Sequence, residues 1–348
     1  MTHQEKRIYE LSRRALIENA GKVLLTAGAA SGFTGITGKL HAEETRNSKS
    51  SIPSGTASIA ALPAIDAILL YAAEADRLFK SEGLDVKIVP FMSALEMTAA
   101  LRAKRIAGQY TNLMTTITQQ ANGIDASIAA TTWHTDPRRR AFGFAVSPKH
   151  VSEVPTLEAL REKTGISTAA SSRTITDWML DNFIANAGIP EQTLKQVEIP
   201  QIPIRLQLLN SGKLETALFY EPLLTLIELK GGKVIWDDRE LNEPLSMISL
   251  RSEYLTEDFV LPLRRALAEA ARRVDDAPGL YLKLAQRKRL IPENIVKGYV
   301  LQKFGGFPTP DGLPELPARD DVKRASEWLL RRGILSKAPD LESVVCRF

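Results

Sequence analysis

Asp66 stands among apolar residues in "ALPAIDAILLYAAEADRLFKSEG", three residues after Pro63, where a strand pattern hands over to a helix pattern. A carboxylate there has two uses. It caps the helix by accepting backbone N–H bonds, or it holds a ligand amine or ring N–H at the mouth of a cleft. Four more segments carry comparable chemistry. Ser171, Ser172, Arg173 and Thr174 precede the helix pattern "ITDWML". A helix N-terminus offers unpaired N–H groups and the positive end of the dipole, and hydroxyls extend that donor set. This is the strongest oxyanion candidate in the chain, with a plain N-cap as its alternative. Thr111 and Asn112 close a short strand and either donate to an oxyanion or shape a turn. In Thr131-Thr132-Trp133-His134 the indole offers a flat face to an aromatic or cationic ligand, or packs in the core. Tyr220-Glu221-Pro222 ends another strand, with Glu221 as an acceptor for a ligand donor.

Enzyme signatures are missing from the sequence. There is no GxSxG elbow, HExxH pair, Walker loop or GxGxxG turn. A carboxylate pair of Asp66 and Glu221 is the remaining catalytic alternative, because spacing along the chain does not set their distance. Cys346 is the single cysteine, which excludes an internal disulfide and a CxxC redox pair. Beyond residue 42 the histidines are His134 and His150, with no metal-ligand spacing. No metal and no cofactor are expected. The net charge of +4 resides largely in residues 1–42, which carry six Lys/Arg against three Asp/Glu. A nearly neutral body gives no reason to propose nucleic acid as a partner.

The elements that must position these residues follow from periodicity. Strand patterns at 56–62, 84–91, 108–114 and 125–133 alternate with helix patterns at 67–83 and 93–106, and a further helix runs to Asn122-Gly123. Ser93 and Glu96 form a capping-box pair. The pattern then repeats from "AFGFAVSP" (141–148) to "KVIWDD" (233–238), and "LSMISLRSEYL" (245–255) returns to the first group. This predicts an α/β protein of two lobes, each a mixed, mostly parallel sheet flanked by helices. Lobe I takes residues 56–140 and 250–348 and lobe II takes 141–249. Two hinge strands near 141–147 and 245–251 join them into a clamshell.

Ahead of the lobes, residues 12–42 run from Arg13-Arg14 through a weakly apolar Gly/Ala/Thr-rich stretch to Ala42. That order is expected of an export signal cleaved near Ala42. "SRRAL" fits the twin-arginine type. Ser, Thr and Asn are frequent in residues 43–55, which read as a flexible leader.

Four segments resemble a known family. "ALPAIDAILLYAAEADRLFKSEGLDVKIVPFMSALEMTAALRAKRI" is similar to the opening of solute-binding proteins of bacterial ABC importers, and "SPKHVSEVPTLEALREKTGIST" to their passage into the second lobe. "KQVEIPQIPIRLQLLNSGKLETALFYEPLLTLIELKGGKVIWDD" and "ASEWLLRRGILSKAPDLESVV" resemble their second-lobe core and closing helix. The likeness is collinear over residues 55–345 and points to the nitrate/sulfonate/taurine and thiamine-precursor (NMT1/THI5-like) group. It implies a type II periplasmic-binding-protein fold and an exported, periplasmic monomer. The implied ligand is a small organic molecule, delivered to an ABC permease and ATPase complex, with the membrane reached only through the permease. Gln109-Tyr110 departs from the small or acidic pair common in relatives. The cysteine-rich segment of the yeast-type pyrimidine synthases in the same group is missing. The residues expected at the cleft are Pro63, Asp66, Thr111, Asn112, Thr132, Trp133, Ser171–Thr174, Tyr220 and Glu221. A zwitterion or an aminopyrimidine satisfies both the donors and the acids. A clamshell sensor reporting to a membrane receptor is the alternative output.

Overall fold

A computed structural model describes residues 53, 55–291, 299–301, 303–304 and 312–348. The expected export segment and nearly all of the leader lie outside the described residues.

The first lobe begins with β1 (Ala57–Ala61) and a short 3-10 turn (Ile65–Ala67), then α1 (Ile68–Ala75) and α2 (Leu78–Ser81). The single helix expected over 67–83 is therefore divided. Arg77 takes a left-handed φ of 60° between the two pieces, which stops the i→i−4 ladder. β2 (Val86–Pro90), α3 (Ala94–Arg102), β3 (Gly108–Thr111), α4 (Leu113–Ala121) and β4 (Ala126–His134) follow. The short polar residues ahead of these helices do cap them. Ser93 accepts from Glu96 N at 3.3 Å and Asn112 from Thr115 N at 3.0 Å.

The second lobe carries β5 (Phe142–Val146), α5 (Leu157–Arg161), β6 (Ile166–Ala170), α6 (Ile175–Asn186) and β7 (Leu194–Glu198). It continues with α7 (Ile202–Asn210), β8 (Thr216–Tyr220), α8 (Leu223–Leu229) and β9 (Lys233–Asp237). The chain then returns to the first lobe through β10 (Pro244–Arg251), α9 (Glu257–Asp276), α10 (Pro278–Arg287) and, further on, α11 (Arg319–Arg331).

Strand order is β2-β1-β3-β10-β4 in one sheet and β7-β6-β8-β5-β9 in the other. β1, β2 and β3 run parallel, as do β6, β7 and β8. In each sheet the antiparallel strand, β10 or β5, is the one by which the chain arrives from the other lobe. All of β10 therefore belongs to the first lobe, and the expected boundary at residue 249 falls inside it. The strands expected to cross between lobes each lie within one sheet. The chain crosses instead in the short segments 135–141 and 238–243.

These two crossings lie side by side. Thr135 N donates to Glu243 O at 3.0 Å, and Glu243 N donates to Thr135 Oγ1 at 2.9 Å. Ala141 N donates to Asp238 Oδ1 at 2.8 Å. The two crossings run antiparallel, Thr135 against Glu243 and Ala141 against Asp238. At the lobe centre, β10 comes so near β3 that a Cβ on Gly108 would meet Ser249 O at 2.5 Å. That approach sets Ser246 beside Tyr110.

Candidate functional site

In open α/β sheets, ligands bind beyond the carboxyl ends of the parallel strands. Those ends in both lobes, at β1, β3, β4, β6, β7 and β8, border one cavity of about 580 Å³. Its walls are largely apolar, with Leu62, Trp133, Phe142, Ile202 and Leu245 among them. Trp133, Phe142 and Tyr220 form an aromatic row from the first sheet to the second. The first two ring centroids are 6.4 Å apart and the second two 5.7 Å, the latter edge to face.

Asp66 lines this cavity and is 1% exposed. It does not cap a helix: α1 has no side-chain cap, and neither does the 3-10 turn that holds Asp66. Its Oδ2 accepts hydrogen bonds from the Tyr110 and Ser246 hydroxyls, which are 2.8 Å from each other. Oδ1 has no hydrogen-bond partner among the described residues. Burial pushes the carboxyl up to about 6, against the lowering effect of the two hydroxyls. The acid is thus buried, held on one oxygen and without a partner on the other among the described residues. Of the pair Gln109-Tyr110, Tyr110 is the one that lines the cavity. The alternation of β3 sends the other, Gln109, to the opposite face, where it donates to Gln119 at 2.8 Å.

Thr111, Asn112, Trp133, Ser171, Ser172, Arg173, Thr174 and Tyr220 all line the same cavity. The Trp133 Nε1 and the Tyr220 hydroxyl are buried without a hydrogen-bond partner among the described residues. Asn112 spends its side-chain oxygen as the α4 cap.

In the Ser171–Thr174 turn, expected to cradle an oxyanion, the backbone N–H groups of Ser171, Ser172 and Arg173 and the Ser172 hydroxyl are taken, while the Arg173 side chain lines the cavity. Ser172 gives both its N–H and its hydroxyl to Glu198 Oε2, and Arg173 N donates to Asp177 Oδ2 at 3.0 Å. Ser171 N donates to Thr176 Oγ1 at 3.1 Å, and Thr174 caps α6. Two carboxylates fill the place where an anion would go, and their charge opposes one.

Three expected residues stand off this wall. Pro63 lies between two lining residues without lining the cavity itself. Thr132 opens on a second cavity, of about 650 Å³, on the far side of Trp133. Glu221 turns away: its Oε1 accepts from Arg140 Nε at 2.7 Å and its Oε2 from Thr225 Oγ1 at 2.8 Å. Asp66 and Glu221 therefore do not face a common cavity as a carboxylate pair.

Arg205 was not among the expected residues, yet it lines the cavity from α7 and is 1% exposed. Its guanidinium lies over the Phe219 ring, 5.1 Å from the centroid. Nε and Nη1 have no hydrogen-bond partner among the described residues. Burial pushes this group below its ordinary range, with Tyr220 and Glu198 acting the other way. The sequence signal for it is the one that marked Asp66, a lone charge in an apolar run, "IPIRLQLL". Ser246 carried no such signal.

Among the described residues no His/Cys/Asp/Glu group is arranged to hold a metal ion, and no helix is long and apolar enough to cross a membrane.

Comparison with solved structures gives the same fold at low identity. The periplasmic aliphatic sulphonate binding protein SsuA from Escherichia coli superposes with a TM-score of 0.67 at 15% identity, covering 84% of this chain and 92% of its own. The periplasmic nitrate-binding protein NrtA from Synechocystis PCC 6803 gives 0.65 at 17% identity, covering 83% and 84%. A zinc-bound ligand-binding component of an ABC-type import system from Staphylococcus aureus gives 0.66 at 12%, covering 83% and 96%. The architecture is thus that of the periplasmic binding proteins. No curated protein matches the chain. The model of the NMT1-like family matches residues 51–287, about two thirds of its length, and the chain belongs to the NMT1-like family.

Proposed function

We propose that this protein is an exported solute-binding protein that captures a small organic molecule between its lobes and delivers it to an ABC import permease. One observation carries the reading. The strand ends of both sheets converge on a single cavity whose lining residues include buried polar atoms without partners among the described residues, and two adjacent crossings join the lobes. A ligand that satisfies atoms on both lobes stabilises the closed form over the open one. Family membership and the import-system neighbours support the same role. Export rests on the Arg13-Arg14 segment, and delivery as a monomer to a permease–ATPase complex on the resemblance to import components.

Small-angle scattering before and after addition of a stabilising ligand tests capture. The expected result is a smaller radius of gyration. Stimulation of the permease ATPase by the liganded protein then separates transport from sensing. For export, replacing Arg13 and Arg14 by Lys should leave the precursor in the cytoplasm. Normal accumulation of that variant outside the cytoplasm would remove the twin-arginine reading.

A further inference from the structure

We propose that Arg205 is the anion-binding residue of this cleft and that, paired with Asp66 as the opposite pole, it selects a small organic ampholyte. Such a ligand carries a carboxylate or sulfonate at one end and a protonated amine at the other. This rests on the solute-capture reading above and adds the ligand class to it.

A buried charge is costly unless something pairs with it. Among the described residues Arg205 has no salt-bridge partner, and two of its nitrogens have no acceptor. Phe219 fixes the plane of the guanidinium without neutralising it. Glu198 is close enough to act on Arg205 but is committed to Ser172. The Tyr220 hydroxyl, one residue after Phe219 on β8, is likewise buried, unpartnered and on the cavity wall. Arg205 and Tyr220 thus form a donor pair on the second lobe that lacks an oxyanion. On the first lobe the arrangement is inverted: Asp66 Oδ1 is an acceptor that lacks a donor among the described residues. At the α6 N-terminus the Ser172 and Arg173 N–H groups are taken by Glu198 and Asp177, which leaves the Arg173 side chain, less buried than Arg205, as the other cation on the wall.

Size and wall chemistry favour an organic occupant over a bare inorganic anion. A water molecule takes about 30 Å³ of liquid, so a cavity of about 580 Å³ is far larger than a small inorganic ion requires. The apolar walls and the aromatic row between the poles suit a hydrocarbon or aromatic body. An ampholyte neutralises both buried charges at once and touches both lobes. A simple acid or a simple amine leaves one charge unpaired.

Calorimetric titration tests this with defined probes. β-Alanine, γ-aminobutyrate, aminocaproate and aminomethanesulfonate serve as ampholytes; propionate and ethanesulfonate carry the acid alone, propylammonium the cation alone, and ribose and cytosine are uncharged. The expected order of affinity is ampholyte, then acid, then amine. Arg205→Met should weaken the ampholytes and acids by roughly tenfold or more while leaving propylammonium within about twofold. Asp66→Asn should show the reverse pattern. Arg205→Lys keeps the charge without the planar group and should retain part of the acid affinity, which separates charge from folding if Arg205→Met is unstable. Equal binding of acids by wild type and both Arg205 variants would overturn the proposal, as would silence of every charged probe. Compaction with ribose, cytosine or the low-molecular-weight fraction of a cell extract, together with that silence, overturns the ampholyte and leaves solute capture standing. No compaction with any of them counts against capture itself.

Discussion

The Tyr110 hydroxyl donates to Asp66 Oδ2 and so ties the end of β3 to the turn that follows β1. Ser246, arriving on β10, donates to the same oxygen. One carboxylate oxygen therefore belongs to the fold, and the other has no hydrogen-bond partner among the described residues. The pair also carries a cost, since Asp66 is fully buried and its carboxyl sits near 6 in place of the ordinary 3.8.

That cost is readable as pH dependence. Between pH 3.8 and about 6 the folded chain holds a proton on Asp66 that the unfolded chain has lost. Stability contributed by this group is therefore greatest at low pH, falls as pH rises through the window, and reaches its full penalty above about 6. Asp66→Asn, with no charge to bury, should make the apo protein more stable than wild type near neutral pH by about 1–3 kcal/mol. The difference should vanish towards pH 4. Urea unfolding across that range checks it, and a difference that does not depend on pH would refute it.

Tyr110→Phe removes one of the two donors that oppose the burial effect. The Asp66 carboxyl should then titrate above 6, and the protein should lose about 1–2 kcal/mol near pH 8, where the carboxylate is ionised. Carbon-detected NMR of the carboxyl gives the first quantity and chemical denaturation the second. An unchanged titration would mean that Ser246 alone sets it.

A second interlobe device lies beside the cleft. α11 packs on α4 of the first lobe and reaches α6 of the second. Arg332 Nη2 donates to Asp177 Oδ1 at 2.6 Å, and Trp328 Nε1 to Asp181 Oδ2 at 2.7 Å. Trp178 and Trp328 meet edge to face at 5.5 Å. Replacing Arg332 by Ala should favour the open form by about 1 kcal/mol, roughly a fivefold shift in population. Scattering of the apo protein should then give a larger radius of gyration. No change would mean that these contacts survive opening.

Glu221→Gln separates a structural acid from a binding one. Glu221 pairs with Arg140, so the substitution should cost about 1 kcal/mol of stability. It should leave the affinity for the ampholyte probes within about twofold. Strong loss of affinity with unchanged stability would return Glu221 to the site.

Local pattern was enough for the architecture. The alternation of "VKIVP" (86–90) and the run "ISTAA" (166–170) mark strands because side-chain period depends on backbone geometry within a few residues. The repeat of strand and helix then leaves two α/β lobes as the arrangement that buries both faces of each sheet. Asp66, Thr111, Trp133 and Tyr220 were legible as wall residues for the same reason, since each stands at or just after a strand end. What each side chain does there was not local. Asp66 looked like a cap because its sequence neighbours are a helix; its real partners, Tyr110 and Ser246, are 44 and 180 residues away. The Ser172 donors looked free, but Glu198, 26 residues on, accepts from both of them. Glu221 looked aimed at the crevice, but Arg140, 81 residues earlier, draws it aside. Arg205 repeats the signal of Asp66, a charge in an apolar run. Only the packing of α7 against β8 tells a charge that reaches water from one left buried over Phe219 at the cavity wall. Hydrogen-bond and ion-pair partners are chosen by proximity in space, and it is the folding of distant strands onto one another that creates it.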